Sequence, residues 1–206
     1  MLYFNDSLNK ISDEEVNAII PTLPQQRREQ AEKFKFPLGR KECVIAYQLL
    51  CQALKEEYGI EEQPVFSYGE HGKPAIIGHE DIHFNLSHCK NAVMCAVSDQ
   101  PIGIDCEVLG RGNEGLVEYT MNEKEIEEIN ASPNPMNEFI KLWTKKEAVL
   151  KLSGEGINDD MKSVLLPENI RGIEIKTFVR EDKGYAFSVV KWSSPTPQWG
   201  EREERV

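Results

Sequence analysis

The hydrophobic period of this chain changes several times, and those changes constrain its fold more than any single motif. Over residues 39–58 apolar side chains recur at helical spacing, with Val44, Tyr47, Leu50, Cys51 and Leu54 on one face and Gly59 as the stop. From Pro64 the apolar runs shorten to 65–68, 82–86, 92–98 and 102–108, each bounded by Gly, Pro or polar residues, as strands are. Helical spacing returns over 122–130 and 138–152, the second apolar at Phe139, Leu142, Trp143, Val149 and Leu150 and stopped by Gly154. Residues 173–179 and 185–192 then read as a hairpin over Glu181-Asp-Lys-Gly184.

Shorter signals complete the pattern. Residues 1–5 suit a short strand. Ser12-Asp-Glu-Glu15 is a capping box for a short helix that Pro21 ends, and Pro24 opens a charged helix running towards Phe36. A Gly-rich loop is expected around 111–115, and Pro133 and Pro135 break the helix before them. Helices and short strands alternate in both halves, so an α+β chain of two similar lobes is expected. The lobes span 1–100 and 101–192, joined near Asp99-Gln-Pro101, with 193–206 as a loose tail. At 206 residues and 40% hydrophobic, the chain can fill one sizeable core or two small ones.

A formal net charge of −11 argues against a generic nucleic-acid or anionic-membrane binder, because long-range repulsion precedes any contact. The longest apolar run, 92–97, is far short of the roughly 18 residues of a membrane span. The first residues have neither the basic nor the apolar region of a secretory signal. Cys43, Cys51, Cys89, Cys95 and Cys106 are an odd set without C-x-x-C spacing, so a reduced, cytoplasmic chain with no zinc site is expected. His71, His79 and His83 show no metal-ligand pattern.

Three constellations carry chemistry. In Gly103-Ile-Asp-Cys-Glu107 the two carboxylates are two apart and face one side of a strand. Such a pair is costly unless cations or donors neutralise it, and hard oxygens at this spacing suit Mg²⁺; the bland alternative is a wet surface pair. In Trp143-Thr-Lys-Lys-Glu-Ala-Val-Leu-Lys151, Glu147 and Lys151 share one helical face. They are either a helix pair worth about 0.2–0.5 kcal/mol, or a third carboxylate and a phosphate-neutralising ammonium. Gly72-Lys-Pro74 followed by Phe84-Asn-Leu-Ser-His88 offers a turn, the Lys73 point charge, and Ser87 and His88 as converging donors to a phosphate oxygen. Their ordinary alternatives are a hairpin turn and a histidine bonded to backbone. Arg27, Arg28, Lys33, Lys35, Arg40 and Lys41 form a basic stretch in an acidic chain, read either as a solvated helix face or as a landing site for a phosphate-rich cofactor.

These motifs, in this order and with Ile102-Gly-Ile-Asp-Cys-Glu107 between them, resemble the Sfp-type 4'-phosphopantetheinyl transferases; the matching core is about residues 64–157. The resemblance implies a monomer of two α+β lobes related by a pseudo-twofold axis, with coenzyme A in the cleft between them. It implies transfer of the 4'-phosphopantetheine arm to a serine of an apo acyl- or peptidyl-carrier protein, releasing 3',5'-ADP. By motif, Asp105, Glu107 and Glu147 resemble Mg²⁺ ligands, Glu147 also the base, and Lys151 a pyrophosphate contact. Lys73, Pro74, Ser87, His88 and Asp105 match the coenzyme A site, and Glu125 a further acidic position. The family often has a basic residue where Gln30 stands, four before Phe34, which leaves Arg27 and Arg40 as candidates for the 3'-phosphate. Apolar contacts and a few cations around 111–121 or 141–146 are expected to meet the carrier. The alternatives are a coenzyme A- or carrier-binding module that has lost catalysis, marked by a missing acid or lysine, and a different coenzyme A-dependent transferase.

Overall fold

In the computed structural model, residues 1–69, 72–154 and 160–193 are described; His71 and all of the expected tail except Ser193 lie outside them. The chain opens with strand β1 (Leu2–Asn5) and helices α1 (Asp13–Ile19) and α2 (Gln25–Glu32). The capping box on α1 is complete: Ser12 Oγ accepts from the Glu15 N–H at 3.1 Å, and the Glu15 carboxylate accepts from the Ser12 N–H at 2.7 Å. Helix α3 (Pro37–Tyr58) starts two residues before the expected position, because Pro37 in the first turn has no N–H to leave unpaired.

Next come β2 (Phe66–Tyr68) and β3 (Pro74–Ile76), a small hairpin turning at Gly72, whose φ of 77° suits glycine. Strands β4 (His83–Cys89), β5 (Ala92–Ser98) and β6 (Ile102–Val108) follow. The expected loop near 111–115 gives way to helix α4 (Glu114–Thr120), capped by the Asn113 side chain. Three glycines in 110–115 masked this short helix in the sequence. Helix α5 (Glu123–Ala131) begins at the Asn122 cap, and α6 (Pro135–Ser153) begins at Pro135, so that proline starts a helix as well as ending the loop before it. Strands β7 (Ile173–Arg180) and β8 (Tyr185–Trp192) close the described chain.

The α+β expectation holds. One sheet has the order β1-β5-β4 and another β6-β8-β7, both antiparallel. In each, a strand is followed by a long helix and then a hairpin whose last strand inserts in the middle. Among the described residues no helix is long and apolar enough to cross a membrane.

Strand alternation then sorts the core. Val93, Cys95 and Val97 of β5 pack with α3, while Ala92, Met94 and Ala96 pack with Ile102, Ile104 and Cys106 of β6 and Phe187 of β8. Both faces of β5 are therefore buried, which accounts for its unbroken apolar run. On the opposite side of the second sheet, Ala186 and Val190 of β8 pack on α6. The same alternation turns Gly103, Asp105 and Glu107 of β6 away from β5 and towards α6.

The sheets meet where β4 runs beside β6. Side chains replace a backbone ladder here: Asn85 Oδ1 accepts from the Ile104 N–H at 3.1 Å, and Ser87 Oγ from the Cys106 N–H at 3.1 Å.

Candidate active site

A cleft of 290 Å³ opens at this seam, lined by Leu86, Ser87, His88, Asp105, Cys106, Glu107, Trp143, Glu147 and Lys151. Strand β6 supplies Asp105 and Glu107 by its period of two. Helix α6 supplies Trp143, Glu147 and Lys151, spaced four apart on one stripe. Gly103 lets the two elements approach: a Cβ there would stand 2.0 Å from the Ala148 carbonyl oxygen.

Lys151 Nζ bonds Asp105 Oδ1 at 2.6 Å, the Ile104 carbonyl at 3.2 Å and Ser87 Oγ at 3.2 Å. Ser87 donates to Asp105 Oδ1 at 3.0 Å. In this arrangement its proton is committed to the carboxylate and Ser87 pins the seam, while it also lines the cleft where a phosphate contact is expected from sequence. Burial pushes the Asp105 carboxyl up, against the pull of Lys151 and Ser87.

Glu147 is 8% exposed, and its buried Oε1 makes no hydrogen bond. Burial, then the nearby Asp105 charge, pushes its carboxyl up to about 7, partly opposed by Lys151. Glu107 is held by Arg111, whose Nη1 lies 3.1 and 3.0 Å from its two oxygens. Among the described residues no three His, Cys, Asp or Glu stand close enough together to hold a metal ion. The three acids expected as one ligand set line one cleft, with Asp105 taken by Lys151 and Glu107 by Arg111.

Lys73 stands beside the cleft residue Lys151 without lining the cleft itself. Its ammonium caps α6, donating to the carbonyls of Lys151 at 2.8 Å and Leu152 at 3.0 Å, and burial draws its pKa down. Pro74 starts β3, paired with Tyr68. His88 Nδ1 is 3.2 Å from Glu42 Oε2 on α3.

Neither arginine proposed for the 3'-phosphate lines the cleft. Arg27 is buried, its guanidinium 5.3 Å from the Tyr47 ring centroid and 5.5 Å from that of Phe66. Cation–π packing and a bond to the Cys43 carbonyl give it a core role. Arg40 reaches the Phe34 carbonyl at 3.4 Å and borders a separate hollow with Asp13, Val16, Asn17 and Pro37.

Glu125, left without a settled role by the sequence, pairs with Lys146. Lys146 is 0% exposed, and its ammonium bonds Glu125 Oε2 at 2.7 Å and the carbonyls of Thr120 and Met161 at 2.9 and 2.7 Å. It ties α4, α5 and the turn at Met161 to α6 beside Glu147, so it cannot be one of the surface cations expected to meet a carrier. Arg111, Trp143 and Glu42 are site residues that sequence reasoning assigned no role in the cleft. For Glu42 the available signal was an acid on the same helix face as apolar Ile45, Ala46 and Leu49.

Comparison with known proteins agrees with this architecture. Residues 101–202 match the model of the 4'-phosphopantetheinyl transferase superfamily, ACPS. The chain is 30% identical over 158 residues to the 4'-phosphopantetheinyl transferase psf-1 of Bacillus pumilus, covering 75% of this chain and 68% of that protein. It is 27% identical over 194 residues to the 4'-phosphopantetheinyl transferase Sfp of Bacillus subtilis, covering 87% and 86%. The 4'-phosphopantetheinyl transferase HetI of Nostoc is 31% identical over 154 residues, covering 70% and 65%. Two three-stranded sheets meeting at an acid-lined cleft, and likeness over most of the chain, lead to one assignment: this chain belongs to the 4'-phosphopantetheinyl transferase family.

Proposed function

We propose that this enzyme transfers the 4'-phosphopantetheine arm of coenzyme A to a serine of an apo acyl- or peptidyl-carrier protein, releasing 3',5'-ADP. The observation that carries the site assignment is Glu147, a buried carboxylate with an unpartnered oxygen and a pKa near 7, facing the Asp105–Lys151 pair across one cleft. A group poised near neutrality can take a hydroxyl proton without being permanently protonated or too weak a base.

The residues divide the work. Glu147 accepts the carrier serine proton as the serine oxygen attacks the phosphorus of the arm. The bond from that phosphorus to the 3',5'-ADP oxygen breaks. Lys151 supplies a positive charge beside the pyrophosphate, where negative charge grows in the transition state. His88 offers its ring at the mouth of the cleft. Trp143 walls off one side and, with Leu116, Phe139 and Ile140, borders an adjoining 100 Å³ pocket that suits apolar carrier contacts.

Asp105, Glu107 and Glu147 are the residues that would hold Mg²⁺, once their side chains draw together from the positions they take without it. The orphaned Glu147 oxygen lacks a partner, and Asp105 and Glu107 are already neutralised by ammonium and guanidinium groups that a hard cation can replace. When bound, the ion spreads the charge of the pyrophosphate leaving group. No acid or lysine of the motif is missing, which supports an active enzyme over a binding module. Five free thiols support a reducing compartment, the cytoplasm.

The test is to incubate the protein with apo carrier, coenzyme A and Mg²⁺ and weigh the carrier. Transfer adds about 340 Da as a covalent modification. An unchanged carrier mass would overturn the assignment.

A further inference from the structure

Glu42 and His88 form a polar pair at the edge of the cleft, of which the catalytic reading uses only His88. Glu42 is 7% exposed in the first turns of α3 and shares a face with buried Ile45, Ala46 and Leu49. A carboxylate placed among apolar neighbours is costly unless it is paired. Its partner is His88, whose Nδ1 stands 3.2 Å from Glu42 Oε2.

Strand β4 alternates, so Asn85 and Ser87 turn to β6 while Phe84, Leu86 and His88 turn to α3. His88 nonetheless borders the cleft, with its side chain 46% exposed. An ionised carboxylate only accepts, so the Nδ1 proton belongs to the bond with Glu42. That bond fixes the ring plane and leaves the opposite edge, with Nε2, to the cleft.

We propose that Glu42 is a positioning residue for coenzyme A binding: it orients His88 so that the free imidazole edge meets a phosphate of the co-substrate. This rests on the reading of the cleft as the coenzyme A site. Glu42 does not reach the reacting atoms, so its effect falls on binding and not on the chemical step.

The experiment measures KM for coenzyme A, kcat and melting temperature in Glu42→Leu, Glu42→Gln, His88→Ala and the Glu42→Leu/His88→Ala double variant. Glu42→Leu and His88→Ala should each raise KM about tenfold, the scale of one charge-assisted hydrogen bond. The Glu42 variants should keep kcat within about twofold of the parent, because a residue acting only on binding leaves the transition state's own contacts intact. The double variant should be no worse than His88→Ala, since both remove one interaction. Glu42→Gln keeps an acceptor oxygen of the same reach and should return KM to within about threefold of the parent. Should the leucine variant melt below assay temperature, Glu42→Ala serves the same comparison.

Unchanged KM in Glu42→Leu, additive losses in the double variant, or a glutamine variant as poor as leucine would overturn the proposal. Parental KM in His88→Ala removes His88 from the site and the proposal with it. A parent protein that binds no coenzyme A in calorimetry overturns the reading of the cleft itself, which separates the two failures.

Discussion

Gly103 of β6 lies directly beneath Ala148 of α6: a Cβ on the glycine would stand 2.0 Å from the Ala148 carbonyl oxygen and 2.8 Å from the Leu152 nitrogen. The obstacle is backbone, which cannot rotate aside as a side chain would. This contact sets the spacing between the strand that carries Asp105 and the helix that carries Glu147 and Lys151.

Gly103→Ala should therefore force α6 away from the sheet. Overpacking of this kind costs about 1–3 kcal/mol, and a backbone obstacle belongs at the upper end. Displacement of about 1 Å at the cleft should slow transfer about a hundredfold. Melting temperature and transfer rate report the two effects, and a variant with parental turnover would show that the spacing is not critical.

Glu147→Gln should slow transfer about 10²–10⁴-fold while the protein remains folded, because the variant keeps the shape but loses the base. It should also change how stability depends on pH in metal-free solution. The folded carboxyl titrates at about 7 against an ordinary 4.5, so between these values the folded state holds a proton that the unfolded chain has released. Stability from this group is full below about 4.5 and is lost as pH rises through about 7. Above that range the glutamine variant should be more stable than the parent by about 3 kcal/mol. Urea midpoints at several pH values in chelator would show a constant difference if the acid were unperturbed.

Lys146→Met should leave Glu125 as an uncompensated buried charge and orphan the Thr120 and Met161 carbonyls. A cost of about 3–5 kcal/mol follows for removing one partner of a buried pair. Adding Glu125→Leu should recover part of that loss. Denaturant unfolding of the three proteins checks this, and a single-variant loss below about 1 kcal/mol would mean the pair is solvated.

Removal of divalent cations should stop transfer, and Mg²⁺ should raise the melting temperature of the protein without coenzyme A, because the cleft then loses its uncompensated acid. The same addition should abolish the pH-dependent penalty at Glu147. Transfer that persists in excess chelator would exclude a metal role for Asp105, Glu107 and Glu147.

Lys151→Ala should slow transfer through loss of the charge beside the pyrophosphate. It also removes the positive charge that holds both the Asp105 carboxyl, 2.6 Å away, and the Glu147 base down, so the base should rise further. A pH–rate profile displaced to higher pH, with a lower plateau, is the expected record. An unchanged profile and rate would remove Lys151 from the mechanism.

Much of the site was already determined by the sequence, because its geometry is local. A strand period of two places Asp105 and Glu107 on one side, and a helical repeat aligns Trp143, Glu147 and Lys151, whatever surrounds them. Ser12 and Asn122 each announce a helix start within four residues. The short helix α4 and strand β3 escaped because a few residues carry too little periodicity to outweigh Gly and Pro.

Only the tertiary structure decided which charges are free. Lys146 and Lys151 lie on one helix, yet the first is sealed against Glu125 and the second stands in the cleft, since the packing of α5 covers one side of α6 and the seam opens the other. Lys73 spends its ammonium on a carbonyl 78 residues away, and Arg27 spends its guanidinium on two aromatic rings. Glu42 meets His88 only because α3 lies across the far face of β4. Charge and spacing are written into the chain, but the partner of a buried charge is chosen by which surfaces the apolar core brings together, through contacts between residues far apart in sequence.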